Sequence, residues 1–429
     1  MIRRWIFRCQ YRLNSTLVGS SGKAASGGSS SYTFTPQTTP YSDKYYQPII
    51  SEGIRGVDKL IIPRDFVAKN QEIDIANDDV DRLAQQQQLQ DIVATFNAPI
   101  KVAIGYGSGV FPQAGYQQLQ KKELDNVNGA TTPSGKEITS GTSYPTQIDF
   151  IHIVDDNHEF HRLNLKQNRD HYSIKSTSLI KFIQGKNGIY FNPFITVKNK
   201  LIKYGIISVN SGILDLIEWT SLYFAGRLQK PVNFVKDDDI RIKFLNQYNL
   251  KNAMTVAILL LESNVFNERQ LYEQITKLSY LGDFRMYIGG ENPNKVQNIV
   301  DSQLAQFKKL YDPILQYFIH RNYLIITDNN EEIRTLKKNL NVNNRINLIS
   351  TLPLQFRKRL YSMYQDKSIK DIVRDQHLAQ NIIKIVSRTI QISSVRQAIM
   401  GIFSSGLIKS IKYAFAKQLK FWQGVFKKK

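Results

Sequence analysis

The sequence has a single cysteine and no apolar segment long enough to cross a membrane. Cys9 is the only cysteine among 429 residues, and it lies in a segment that we expect to be removed from the mature chain. The mature protein would then contain neither a disulfide nor a cysteine nucleophile or metal ligand. The longest uninterrupted apolar runs, such as Val256 to Leu261, fall far short of the ~20 residues that span a bilayer. Any membrane contact is therefore predicted to be peripheral.

Acidic residues are missing from both ends of the chain. The first one is Asp43, and the segment before it is basic and rich in serine and glycine. This composition is typical of a mitochondrial presequence, which we place at residues 1–40; an ordinary disordered basic tail is the alternative. From Gln376 to Lys429 there are ten Lys and Arg and no Asp or Glu, so about half of the formal net charge of +21 lies there. Such a surplus attracts polyanions: nucleic acid, acidic lipid or nucleotide phosphates.

The last segment, 403–429, has the pattern of a helix that lies on a membrane surface. At 100° per residue its large apolar side chains fall within one arc of about 120°, while four of its lysines fall outside that arc. The apolar residues are Leu407, Ile408, Ile411, Phe415, Leu419, Trp422 and Phe426. This pattern predicts a basic amphipathic helix in an anionic membrane interface. A helix packed on its own domain is the alternative.

The rest of the chain is predicted to have an α+β fold. Apolar periodicity and breaker residues predict a helix at 77–95, strands at 100–104, 147–154, 188–197 and 201–209, and a helix at 214–224. Residues 121–146 are rich in Asn, Gly, Thr and Ser and form a predicted surface insertion. We assign 41–235 to a catalytic domain. Residues 236–402, where the pattern becomes mainly helical, form a second region in which two helices suit a small winged-helix-like domain.

A glycine-rich turn and a strand carboxylate give the first indication of chemistry. Gly105, Gly107 and Gly109 allow the backbone to approach a ligand closely, so that its amides can point at phosphate oxygens while Ser108 adds a hydroxyl. The following strand carries Asp149 near its start. Nucleotidyl transfer requires a nest for the triphosphate and a carboxylate for Mg²⁺, and this order of elements provides both. A purely structural turn is the alternative.

Seven collinear motifs between about Phe96 and Gly401 resemble the mitochondrial phosphatidate cytidylyltransferases, also called translocator assembly and maintenance proteins. The motifs are Tyr106 to Phe111, Ile148 to Phe150, His171 to Ser173, Lys203 to Gly205, Ala225 to Val232, Ser279 to Met286 and Ser394 to Gln397. The resemblance implies a nucleotidyltransferase domain, a winged-helix-like domain and a C-terminal helix on the matrix side of the mitochondrial inner membrane. The implied reaction joins CTP to phosphatidic acid, giving CDP-diacylglycerol and pyrophosphate for cardiolipin synthesis, with Mg²⁺ as cofactor.

The resemblance also implies roles for individual residues. Asp149, Ser108 and Lys230 are predicted to be catalytic, and Asp149 to bind the metal. The predicted nucleotide-binding residues are Gly107, Ser108, Gly109, Lys203, Arg227, Lys230 and His171. For His171 a hydrogen bond within the core is an equal alternative. Arg227 and Lys230 would otherwise be read as a solvated basic pair.

The second metal carboxylate is missing from its expected place. Wider nucleotidyltransferases carry it two residues after the first, where this chain has Ile151. Asp155 has the right strand parity, but six residues of straight strand would put it roughly 20 Å from Asp149. Paired metals lie only ~4 Å apart, so Asp155 would need a bend in the strand. Asp283 is the next candidate.

Two other functions remain open at this level. One is an RNA or tRNA nucleotidyltransferase, because the same catalytic core with a basic surface would suit RNA. The other is a non-enzymatic protein that maintains inner-membrane machinery. The apolar arc at the C-terminus favours anionic inner-membrane lipids over nucleic acid as the partner. The oligomeric state is not readable from the sequence.

Overall fold

A mixed five-stranded sheet organises the first part of the chain. The computed structural model describes residues 68–73, 79–111, 147–185, 188–283, 294–365 and 367–405, all within one compact unit. The strands are β1 (Val102–Tyr106), β2 (Ile148–Val154), β3 (Tyr190–Val197), β4 (Lys200–Ser208) and β5 (Asn233–Asp237), in the order β3-β4-β2-β1-β5. β2 and β4 are parallel, and the other neighbours are antiparallel. The first residues of β2 and β4 therefore lie beside the last residues of β1. We call this end of the three strands the edge of the sheet.

Five helices accompany this sheet. They are α1 (Val80–Val93), α2 (Asn157–Gln167), α3 (Thr177–Gln184), α4 (Val209–Glu218) and α5 (Ala225–Leu228), and short 3₁₀ turns lie at Ala68–Gln71 and Arg169–His171. The first four start with a side-chain cap; for example, Asp79 accepts from the Arg82 amide, and Ser208 accepts from the Ser211 amide. These caps satisfy amides that have no partner inside the helix.

Strand alternation divides the sheet into two faces with separate cores. The first face carries Ile104, Ile151 and Ile207, which share a core with α4, α5 and the helices that follow. The second face carries Phe150 and Tyr204, which pack with α1, α2 and α3 in another core. Successive side chains of a strand point to opposite faces, so residues two apart in one strand reach the same core and adjacent residues reach different cores.

The second part of the chain is mainly helical and contains a small antiparallel sheet. Its helices are α6 (Ile240–Leu260), α7 (Glu268–Leu278), α8 (Lys295–Ser302), α9 (Leu304–His320), α10 (Val342–Ser350), α11 (Leu354–Ser362), α12 (Ile369–Arg374) and α13 (Leu378–Ser405). The strands β6 (Val265–Asn267), β7 (Leu324–Asp328) and β8 (Thr335–Lys338) pair in the order β6-β8-β7. No helix in the described ranges combines the length and apolar character needed to span a bilayer.

The predicted mixture of helices and strands is confirmed, and so are the strands at 100–104, 147–154, 188–197 and 201–209, each to within two residues at both ends. The helix predicted at 214–224 is wrong in position. α4 ends at Glu218, and Trp219 has a left-handed φ of 52°, which stops the helix. β5 crosses the predicted domain boundary at residue 235. The predicted presequence at 1–40, the predicted insertion at 121–146 and residues 406–429 of the predicted membrane helix lie outside the described residues.

Candidate active site

The register of the sheet brings Asp149 and Lys203 together at one edge. Asp149 on β2 pairs with Lys203 on parallel β4 and with Tyr106 on antiparallel β1, so all three side chains share the first face. Lys203 Nζ lies 3.7 Å from Asp149 Oδ1. Although burial opposes the charge on Lys203, the carboxylate of Asp149, with Tyr106 and Tyr223, raises the lysine pKa to about 12. Lys203 is therefore a permanent cation beside the carboxylate.

The glycine-rich turn covers the end of β1 next to Asp149. Gly107 has φ +77°, and a Cβ placed there would lie 3.4 Å from Asp149 Oδ2. A Cβ on Gly109 would lie 2.4 Å from the Gln147 carbonyl oxygen, a distance that no side chain tolerates. The Gly107 carbonyl accepts from the amides of Val110 and Phe111, which closes the turn. Ser108 is exposed at its tip, where a ligand can reach it.

Arg227 extends this cluster beyond Tyr106. Its guanidinium carbon lies 3.9 Å from the ring centre of Tyr223 and 5.4 Å from that of Tyr106. Nη1 also donates to the Tyr223 carbonyl oxygen. Stacking on aromatic faces orients the planar guanidinium without neutralising its charge, which leaves it able to bind phosphate. Arg227 was predicted as a phosphate ligand, and its position beside Tyr106 is compatible with that role.

A buried carboxylate that the sequence analysis missed holds the loop and the helix start that position Arg227. Asp215, on α4, accepts hydrogen bonds from six donors, five of them on residues 221–225 or their side chains. These donors include the amides of Phe224 and Ala225 at the start of α5. Asp215 thereby fixes the loop that carries Tyr223 and aims α5. The available signal in the sequence was an acid flanked by apolar residues, Leu214 and Leu216.

Lys230 lies at the far side of α5 and reaches the turn after α7. Its Nζ donates to the Gly226 carbonyl oxygen at 2.6 Å and to Ser279 Oγ at 2.8 Å. Burial, together with the charges of Arg227 and Lys295, lowers the pKa of Lys230 to about 7. A buried lysine of this kind gains a full charge readily when an anion arrives. Ser279 itself was not predicted to take part.

The turn that holds Ser279 also carries Asp283. Gly282, with φ +77°, packs against the Ser387 backbone of α13, where a Cβ would lie 2.2 Å from the Ser387 carbonyl oxygen. Asp283 is buried at the end of this turn. The structure thus places Asp283 four residues after the serine that contacts Lys230. Its role as a second metal ligand stays a prediction.

Two predicted site residues lie elsewhere. Asp155 follows the other end of β2, where it forms an exposed ion pair with Lys101, with Nζ and Oδ2 3.4 Å apart. β2 runs from Ile148 to Val154 without a break, so the bend needed to bring Asp155 to Asp149 is absent. His171 lies on the second face, where its Nδ1 is 2.9 Å from the Tyr204 hydroxyl. The structure therefore supports the core hydrogen bond as the role of His171.

The cluster suits the phosphates of a nucleotide and one divalent cation. Lys203 and Arg227 supply positive charge, Lys230 lies three residues after Arg227 with a pKa of about 7, and the glycine turn presents its backbone beside Asp149. Within the described residues, no three His, Cys, Asp or Glu side chains gather as a complete metal site. Mg²⁺ usually binds one or two carboxylates and completes its shell with substrate phosphates and water. The donor set around Asp149 fits that mode.

Comparison with known proteins places these residues in a family. The family profile described as mitochondrial phosphatidate cytidylyltransferase matches residues 89–420. The relative of that name in Saccharomyces cerevisiae is 35% identical over 343 residues, covering 78% of this chain and 70% of its own. The Schizosaccharomyces pombe relative is 34% identical, covering 78% and 84%. The mouse relative is 36% identical, covering 78% and 95%. All the residues of the cluster lie inside the matched range.

Proposed function

This chain belongs to the mitochondrial phosphatidate cytidylyltransferase family, and we propose that it transfers a cytidylyl group from CTP to phosphatidic acid. The products are CDP-diacylglycerol and pyrophosphate, which we place in the route to cardiolipin. The observation that carries the proposal is the placement of Asp149 between the glycine turn and Lys203, with the Arg227 guanidinium over the ring of Tyr106 on the neighbouring strand. This arrangement provides a metal ligand and phosphate-binding cations at one open edge.

In the proposed reaction a phosphate oxygen of phosphatidic acid attacks the α-phosphorus of CTP in line. The new P–O bond forms as the bond from the α-phosphorus to the bridging oxygen breaks, and pyrophosphate leaves with the electron pair. No covalent enzyme intermediate is required, and a phosphate monoester is largely ionised near neutral pH. The protein's contribution is thus positioning and charge stabilisation.

Each residue of the cluster has a distinct task in this proposal. The amides of the turn at Gly107 to Gly109 and the Ser108 hydroxyl hold the triphosphate. Asp149 would hold Mg²⁺, which supplies charge neutralisation between the phosphates, and Asp283 is the second candidate ligand. Lys203 and Arg227 keep their charge and orient phosphate oxygens, while Lys230 gains a proton as pyrophosphate charge develops.

We further propose that the protein works on the matrix side of the inner membrane as a peripheral protein. The names of the relatives include the word mitochondrial, and the substrate phosphatidic acid is a membrane lipid. The basic segment 403–429 is the proposed anchor to anionic lipids. A site on a peripheral protein must face the bilayer, since its lipid substrate does not leave the membrane.

Incubation of the purified chain with labelled CTP, Mg²⁺ and phosphatidic acid liposomes tests the proposal. We expect a lipid-linked cytidine nucleotide and pyrophosphate. Asp149→Ala should lower the rate on the order of 10³-fold, because charge stabilisation by a bound metal is worth several kcal/mol. Asp155→Ala is the matched control: it removes the same group from the opposite end of the same strand, and it should keep most of the activity.

Three results would overturn the assignment. One is a product formed with ATP only or with RNA only, which would indicate a different nucleotidyltransferase. Another is unchanged turnover in folded Asp149→Ala, as expected if the glycine turn were structural. The third is equal loss in both aspartate variants, which would mean that the strand rather than the edge is being disturbed.

A further inference from the structure

A pocket of about 490 Å³ opens beside the active site, between α13 and the loop that follows α4. Thr220, Ser221 and Tyr223 form part of its wall on the loop side. Tyr223 is the residue whose ring stacks under Arg227, so the pocket and the active-site cluster have this side chain in common. A ligand in the pocket would lie next to the catalytic edge of the sheet.

The lining of the pocket carries four cations and one acidic side chain, so its net charge is positive. Its cations are Arg359, Lys384, Arg388 and Arg396, and Asp215 is its one acidic lining residue. Both oxygens of Asp215 already accept hydrogen bonds from the adjacent loop. Across the described parts of the chain, none of the four cations forms an ion pair. Burial, and after it the nearby Arg388, lower the pKa of Arg359, while the Asp215 carboxylate opposes this shift.

The outer side of α13 continues the pocket as a surface that is both basic and apolar. At 100° per residue, seven of its side chains fall within an arc of about 120°. These seven side chains are Lys384, Arg388, Ile392, Val395, Arg396, Ile399 and Phe403. The cations lie mostly towards the start of the helix and the apolar residues towards its end. The four apolar side chains are 41% to 62% exposed, although they follow helical spacing as core residues do. A helix that faced only water would not retain this stripe.

The chemistry of this surface selects its partner. Cations interleaved with an apolar stripe fit a bilayer, because the stripe enters the acyl boundary while the cations meet phosphates. A nucleic acid would need cations but would leave the aliphatic stripe exposed. No acidic residue occurs from Gln376 onwards to oppose an anionic partner. α13 also leads directly into 406–429, the segment predicted from sequence to lie on a membrane.

We propose that the outer arc of α13 is a bilayer-contact surface and that the pocket cations hold the phosphate of an acidic phospholipid headgroup. In this position α13, and not the last segment alone, binds the membrane. Tyr223 and the Asp149 edge are then held next to the lipid headgroups. The inference goes beyond the transferase reaction and does not depend on it.

Vesicle binding by the full chain, measured without CTP, tests this surface. The probes are phosphatidylcholine vesicles with and without phosphatidylglycerol, and the readout is the dissociation constant from co-sedimentation. Lys384→Gln/Arg388→Gln should weaken binding to the anionic vesicles by roughly 25-fold, since each cation near an anionic surface contributes about fivefold. Ile392→Ser/Ile399→Ser should weaken it by about tenfold or more through lost apolar insertion.

The matched control is Lys166→Gln/Lys370→Gln, which removes the same charge from exposed positions on α2 and α12 and should bind like the parent chain. If Lys166→Gln/Lys370→Gln weakened vesicle binding as much as Lys384→Gln/Arg388→Gln, the proposal would be overturned, because net charge alone would then explain binding. It would also be overturned if Ile392→Ser/Ile399→Ser lowered the melting temperature and left vesicle binding unchanged, since the stripe would then be covered by residues 406–429. A failed CTP assay with normal vesicle binding would reject the proposed reaction and leave this inference standing.

Discussion

The two faces of the five-stranded sheet carry similar residue types and use them differently. On the first face, Tyr106, Asp149 and Lys203 lie at an open edge, where Lys203 Nζ is 3.7 Å from Asp149 Oδ1. On the second face, His171, Tyr204 and Asn164 form a closed hydrogen-bonded group. The first face keeps its charges available, whereas this group on the second face satisfies its polar atoms by bonding to one another. Polar side chains in a sheet therefore indicate a site only when the surrounding residues leave them open.

The histidines of the second face show why residue type alone misleads. His152 and His161 are fully buried, and burial lowers their pKa values to about 3 and about 4. Neutral imidazoles at physiological pH cannot bind phosphate as cations. His161 instead bonds the Tyr172 hydroxyl and Gln184. This face stabilises the sheet on which the reactive edge is built.

The largest difference between the faces should appear on removing the half-buried lysine charge of the first face. Lys203→Met should lower kcat by about 10²-fold, because a preorganised cation beside developing phosphate charge is lost. Lys200→Met, at the exposed first position of the same strand, is the control and should keep its activity. Equal activity of Lys203→Met and the parent chain in the labelled CTP assay would remove Lys203 from the site.

The second face should respond in stability and not in turnover. Tyr204→Phe deletes a hydroxyl that accepts from Asn164 at 2.9 Å and contacts His171 at 2.9 Å, leaving buried polar groups unpaired. We expect a loss of about 1–3 kcal/mol in the free energy of unfolding with kcat unchanged. Urea titration and the CTP assay measure the two quantities.

Tyr190→Phe is the control for that experiment, because the Tyr190 hydroxyl has no hydrogen-bond partner among the described residues. Its removal should leave stability equal or slightly higher. A fall in kcat for Tyr204→Phe at unchanged stability would contradict the division of the two faces, since it would give the second face a part in the reaction.

The smallest expected effect concerns pH. The folded-state pKa of His152 lies at about 3, far below the ordinary value of 6.5, so between these values the unfolded chain binds the extra proton. Stability should therefore fall as the pH drops from 6.5 towards 4. His152→Phe should reduce that fall, and it keeps the ring contacts with Phe96 and Tyr204. Urea midpoints of the parent chain and of His152→Phe at pH 7 and pH 5 test this. An equal decrease of the midpoint in the two chains would contradict it.

Sequence reasoning succeeded where a feature depends on neighbouring residues. The turn at Gly105 to Gly109, the strand that follows it and Asp149 near the start of β2 can all be predicted from local composition. It failed where position depends on distant residues. The helix predicted at 214–224 ends early because Asp215 accepts amides from the loop ahead of it, and nothing local shows that the carboxylate turns inward.

The chain sequence by itself determined the glycine turn, the strand carboxylate, the family and the acid-free end that meets a membrane in our proposal. Tertiary structure decided which groups meet. The parallel register of β2 and β4 placed Lys203 beside Asp149, although 54 residues separate them in the chain. Because β2 runs without a break, Asp155 lies at the other end of the strand from Asp149. Strand alternation places Tyr204, the partner of His171, on the face opposite to Lys203. Local propensity sets the elements, whereas register and packing set the distances between side chains far apart in sequence.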